Sequence, residues 1–156
     1  MFICHRINTI EELIKVPKEY GVELDLRDNL NGDIYIHHDP FVIGELFEDY
    51  LKHYYHKFII LNIKSEGIEY KVLELIIKYN IKDYFFLDCS FPMIYKLLKI
   101  GENNIAIRFS ELENVNLDLK VKWIWVDCFS NLPINKENYK IFKDNNYKLC
   151  LVSPEL

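Results

Sequence analysis

The chain has 156 residues, half of them hydrophobic and 15% aromatic, which is enough for one domain with a sizeable core and argues against a disordered chain. A formal net charge of −5 gives no basic footprint, which argues against nucleic acid or anionic membrane as the main partner and leaves a small phosphorylated substrate open. No apolar run is long enough to span a bilayer, and the start Met1-Phe2-Ile3-Cys4-His5 lacks the marks of a signal peptide, so a cytoplasmic location is expected.

In chain order, Phe2-Ile3-Cys4 reads as a short first strand. Ile10, Leu13 and Ile14 form a helical stripe that Thr9 or Asn8 can cap, and Pro17 and Gly21 mark the break after it. Gly21-Val22-Glu23-Leu24-Asp25-Leu26 is the next strand. Asn31-Gly32 suits a tight primed turn, and Ile34-Tyr35-Ile36 returns from it toward His37-His38-Asp39. Ile43, Leu46, Phe47, Tyr50 and Leu51 outline a second helix, with His53 and His56 as an i, i+3 pair on it. Lys57 to Ile63 is a strand, and Ile68, Val72, Leu75, Ile76 and Tyr79 share a helical face. Tyr84 to Asp88 is a strand, followed by a helix from Phe91 to Ile100 that Gly101 closes. Ile105 to Arg108 is a strand, Ser110 to Asp118 a short helix or turn, and Trp123 to Asp127 a strand in which Trp123 and Trp125 share a face. A helix from Lys136 to Asn145 and a strand from Lys148 to Val152 complete the pattern.

Continuous apolar strands alternating with amphipathic helices predict an α/β fold with a parallel sheet buried on both faces. A (β/α) barrel and a doubly wound sheet both fit. Two features favour the TIM-type barrel. Polar residues recur at the C-terminal ends of the strands: His5, Asp25, Asn62 with Lys64, Asp88, Arg108, Asp127 and Ser153. No glycine-rich phosphate fingerprint follows the first strand. About seven strands fit into one domain over residues 1–156, whereas a full barrel usually needs about 200 residues or more. The expectation is an incomplete barrel whose C-terminal βα unit is missing. It is either a piece of a longer protein or a fold whose open edge a second copy covers. The cysteines Cys4, Cys89, Cys128 and Cys150 are widely spaced and read as reduced, mostly buried thiols rather than zinc ligands.

The candidate site follows from strand alternation. Glu23 and Asp25 share one face, about 6.6 to 6.8 Å apart along the strand, while Val22, Leu24 and Leu26 take the other. Two carboxylates in a buried strand need a partner or a cation. The return from the turn at Asn31-Gly32 brings His37 and His38 back toward them, and His5 and Arg6 follow the first strand. Carboxylates hold hard cations and imidazoles move protons, which together suit the cleavage of a phosphate ester.

These segments resemble the glycerophosphodiester phosphodiesterases, within the phosphatidylinositol-phospholipase-C-like phosphodiesterase barrels. The resemblance rests on Cys4-His5-Arg6, the acidic strand Gly21 to Leu26, the segment Gly32 to Asp39, and Leu61-Asn62-Ile63-Lys64, in the family's order. It implies that His5 and His38 are the general acid/base pair, His38 being chosen because it directly precedes Asp39. It implies that Glu23, Asp25 and the residue at 62 bind a divalent cation, magnesium or calcium, and that Arg6 and Lys64 meet the phosphate. It further implies a small phosphodiester as substrate. Three departures stand out: Ile7 replaces a glycine, the loop after it is short and lacks a glutamate, and Asn62 replaces a metal-binding glutamate. A neutral amide removes one negative charge, for which Glu66 or Asp88 would have to compensate. The expected function is a metal-dependent phosphodiesterase. The alternatives are a non-catalytic phospho-ligand-binding or oligomerising relative, and a metal-independent lyase using the two histidines with Arg6.

Overall fold

The strand Gly21–Asp28 (β2) organises the first half of the fold, and its eight residues have three partner strands. Along one edge Gly21 to Leu26 pair in parallel with Phe58–Ile63 (β5). On the other edge Ile3–Cys4 (β1) pairs in parallel with Gly21 and Val22, and Ile34–Ile36 (β3) pairs antiparallel with Leu26 to Asp28. Glu45–Leu46 (β4) extends the sheet beyond β3, and Tyr84–Leu87 (β6) extends it in parallel beyond β5. Every residue of β5 and β6 is buried, as a parallel sheet covered on both faces requires.

The computed structural model describes residues 1–153. Its compact units are residues 1–93 and the chain from Ile94 onward. In the first unit the helices are Ile10–Leu13 (α1), Phe47–Leu51 (α2) and Glu69–Lys78 (α3). α1 starts at a reciprocal cap, in which the Thr9 hydroxyl accepts from the Glu12 N–H and the Glu12 carboxylate accepts from the Thr9 N–H. Leu13, Phe47, Tyr50, Val72 and Ile76 are fully buried, and with the nearly buried Leu51 they are the apolar core side chains these helices supply. Phe91–Lys99 (α4) follows β6. In the second unit Ala106–Phe109 (β7), Trp123–Val126 (β8) and Lys148–Leu151 (β9) form a parallel sheet with β8 in the middle, and Lys136–Asp144 (α5) precedes β9. The fold is mixed α/β with parallel strands, and among the described residues the strands form two sheets and no closed barrel. No helix among the described residues is long and apolar enough to cross a membrane.

Local departures from expectation have physical causes. The second helix begins at Phe47, four residues after Ile43, which is 98% exposed. Gly44 passes so close to β3 that a Cβ there would lie 2.1 Å from the Ile36 carbonyl oxygen, and that crossing holds Glu45 and Leu46 in a strand. The helix ends at Leu51, so His53 and His56 lie beyond it, and His56 Nε2 sits 3.0 Å from the Val16 carbonyl instead of pairing with His53. Asn31-Gly32 is no two-residue primed turn. Asn29 Oδ1 accepts from the Asn31 and Asp33 N–H groups, closing a wider loop in which Gly32 has φ 78°. Ser110 to Asp118 is turn without helix. All four cysteines are thiols outside any disulfide and half-buried, none of them in the core. Trp125 is buried in the core, whereas Trp123 is half-buried under the Lys148 ammonium.

Candidate active site

Burial selects the site. Glu23 and Asp25 are each only 1% exposed, and Asn62, the register partner of Asp25 on β5, is 5% exposed. Two carboxylates this deep are costly unless each oxygen finds a donor. Glu23 Oε1 accepts from Asn62 Nδ2 at 2.8 Å, and Oε2 accepts from the Arg6 N–H at 2.8 Å. Asp25 Oδ1 accepts from the same Asn62 Nδ2 at 3.2 Å, and Oδ2 accepts from Asn8 Nδ2 at 2.9 Å. His5 Nε2 lies 3.5 Å from Glu23 Oε2, and Lys64 Nζ lies 3.5 Å from Asp25 Oδ1. Burial, followed by the neighbouring charge of Asp25, pushes the Glu23 carboxyl above its ordinary range, against the pull of Arg6, His5 and Asn62.

The segment after β1 is held in a demanding conformation. Arg6 has φ 54°, left-handed for a residue with a Cβ, which costs on the order of 1–2 kcal/mol. Three bonds impose it: the Arg6 N–H to Glu23 Oε2, the Ile7 N–H to the Glu23 carbonyl at 2.8 Å, and the Tyr50 hydroxyl to the Ile7 carbonyl at 3.0 Å. The result aims the Arg6 guanidinium at His38, with NH2 3.3 Å from Nε2. His38 Nδ1 is 2.8 Å from Asp39 Oδ1, and that pairing, above all the hydrogen bond, pulls the Asp39 carboxyl below its ordinary range. His37 turns into its own loop, where Nδ1 accepts from the Asp39 N–H at 2.9 Å.

His5, Arg6, Glu23, Asp25, His38, Asn62 and Lys64 thus come together at one end of the first sheet. Asp88, with φ 61° at the end of β6, joins them through Lys64, whose ammonium is 3.4 Å from Asp88 Oδ2. Glu66 instead accepts from the Ser90 hydroxyl at 2.6 Å. Arg108 and Asp127 pair with each other in the second unit.

In fold, the chain is similar to a candidate glycerophosphoryl diester phosphodiesterase from Agrobacterium tumefaciens. The TM-score is 0.69 at 13% identity, covering 96% of this chain and 83% of that one. No family model matches the chain, and no curated protein does. At this identity the likeness speaks for the fold, and it agrees with the family resemblance read from the motifs.

Three further residues serve the site. Asn8 clamps Asp25 from both sides, since its Oδ1 also accepts the Asp25 N–H at 2.9 Å. Arg27 spends its guanidinium on carbonyls: Nε and NH2 donate to His38 O, and NH1 donates to Lys64 O. It ties the loop carrying His38 to the end of β5. Asp39 orients His38. Each left a signal in the sequence. The Glu12 partner three residues after Thr9 marks Thr9 as the cap and frees Asn8, Arg27 shares the face of Glu23 and Asp25, and Asp39 adjoins His38.

The divalent cation that the resemblance implies does not fit the donors as they are folded. Asn62 turns its amide nitrogen, not its oxygen, toward both carboxylates, and its Oδ1 is buried without a hydrogen-bond partner. Rotating the amide would set three oxygens against one another. Calcium takes about six to eight oxygen ligands and magnesium about six, several of them waters, but the protein's share must present oxygens. Among the described residues no three His, Cys, Asp or Glu side chains are grouped to hold an ion.

Proposed function

We propose that the chain cleaves a small glycerol- or sugar-linked phosphodiester by histidine acid–base chemistry. One observation carries this reading: an unbroken run of contacts from Glu23 to His5 and to the Arg6 backbone, and from the Arg6 guanidinium to His38. It supports an imidazole at each end of that run, with the Arg6 guanidinium against His38. One imidazole takes the proton of the attacking hydroxyl, from water or from the substrate itself, and the other returns a proton to the leaving alkoxide. Attack by a substrate hydroxyl gives a cyclic phosphate first. Arg6 and Lys64 carry the phosphate charge. A (β/α)-barrel arrangement and a cytoplasmic setting belong to the same reading, the first supported by the parallel run β1-β2-β5-β6 and the likeness in fold. A requirement for magnesium or calcium is the part that the donor set does not support, and no step is drawn through a cation.

The test is hydrolysis of glycerophosphodiesters and a model diester, in EDTA and with magnesium, calcium or manganese. His5→Ala and His38→Ala are expected to lower turnover by about 10²–10⁴-fold. EDTA-resistant cleavage to a cyclic phosphate marks the lyase route. The absence of turnover with any cation across several diesters overturns catalysis. It favours the second reading, a phospho-ligand-binding relative, to which the neutral Asn62 points; calorimetry with the same diesters then tests binding.

A further inference from the structure

We infer that Asn62 and Lys64 together stand in for a divalent cation in the Glu23–Asp25 pocket, so that the site assembles without one. The inference concerns the mouth described above and rests on the phosphodiester reading only for what that mouth serves.

A shared ion would do two things for this pair: bridge the carboxylates and offset their charge. Asn62 does the first. Its Nδ2 reaches Glu23 Oε1 at 2.8 Å and Asp25 Oδ1 at 3.2 Å, so the two hydrogens of one amide link the two groups. Lys64 does the second. Its ammonium, with the side chain only 20% exposed, sits 3.5 Å from Asp25 Oδ1 and 3.4 Å from Asp88 Oδ2. It is a cation tethered to β5, two residues beyond Asn62, on the same face of the chain. The outer oxygens are served from the opposite side by Asn8 Nδ2 at 2.9 Å and the Arg6 N–H at 2.8 Å. Each of the four carboxylate oxygens therefore has a protein donor. The unpartnered Oδ1 of Asn62 is the counterpart of this arrangement, because the amide can face two carboxylates only with its nitrogen.

Calorimetry and thermal unfolding of the full chain test this, with magnesium and calcium titrated separately after EDTA treatment. The wild-type chain is expected to show no saturable heat and no shift in Tm through millimolar cation. Asn62→Asp, nearly isosteric, removes the bridging donor and adds a carboxylate. It is expected to gain saturable binding at least ~10-fold tighter than wild type, with Tm rising with cation concentration. Lys64→Met is expected to lower Tm in EDTA and to recover part of the loss on adding either cation, and it decides the matter if Asn62→Asp does not fold. Saturable wild-type binding that disappears in Glu23→Gln overturns the inference. So does a Lys64→Met chain with wild-type Tm in EDTA. These readouts do not involve turnover, so the histidine chemistry and the cation substitution can fail separately.

Discussion

Both units place acidic residues on parallel strands or just beyond them, yet the two sets do different work. In the first unit Glu23 and Asp25 are buried to 1% exposure and depend on five donors from other parts of the chain: His5, Arg6, Asn8, Asn62 and Lys64. In the second unit Asp127 pairs with Arg108 on the neighbouring strand. Glu111, on the surface, accepts the N–H groups of Phe129, Ser130 and Asn131 and fastens a loop. Such acids mark a candidate site where burial forces several groups to converge. Where the acid stays half-buried or exposed they mark a staple.

The contrast predicts unequal costs. Asn62→Leu leaves two buried carboxylates without their bridge and is expected to cost about 3–5 kcal/mol in denaturant unfolding. Arg108→Met, which breaks a half-buried pair, should cost about 1–2 kcal/mol. Equal costs would erase the distinction. Arg27→Met comes next, with about 2 kcal/mol from its lost bonds to the His38 and Lys64 carbonyls. Turnover should fall more than stability alone explains, because the loop carrying His38 loses its brace.

A smaller effect appears against pH. Because the Glu23 carboxyl is raised above its ordinary 4.5, its contribution is complete below that value. It is lost as pH climbs through the raised one. The Tm of Glu23→Gln minus that of wild type should therefore grow as pH increases from about 4.5; a flat difference would mean that the carboxyl titrates normally. Glu111 has the opposite sign. Its backbone partners hold it down at about 2, against an ordinary 4.5, so its contribution is complete above 4.5 and fades as pH falls toward 2. Glu111→Gln should show the smallest effect, a deficit in Tm at neutral pH that narrows below about pH 4.5.

The alternation of strands and helices was legible in the sequence because parallel strands buried on both faces are continuous apolar runs, as in Phe58 to Ile63. Glu23, Asp25 and Asn62 stood out because charge and amide interrupt such runs. The short β4 and the late start of α2 were not legible. Ile43, Leu46 and Phe47 have helical spacing, and the approach of Gly44 to Ile36, together with the pairing of β4 with β3, decides against a helix there. The direction of the Asn62 amide was equally hidden, since a sequence names the group and not which of its two ends meets the carboxylates. The second unit yielded its elements, but not the pairing of Arg108 with Asp127 or the anchoring of Glu111, which depend on loop paths.

Gly44 has a bearing on how this region can change. At the near end of the loop His37 donates its N–H to the Asp25 carbonyl at 3.0 Å, and at the far end Gly44 presses on Ile36 with no room for a methyl group. Between them Phe41 and Ile43 project almost wholly into solvent. A loop fastened at both feet and exposed at its crest is where new sequence can be grafted without disturbing the histidine at its base, so variation among related chains should concentrate at positions 41–43.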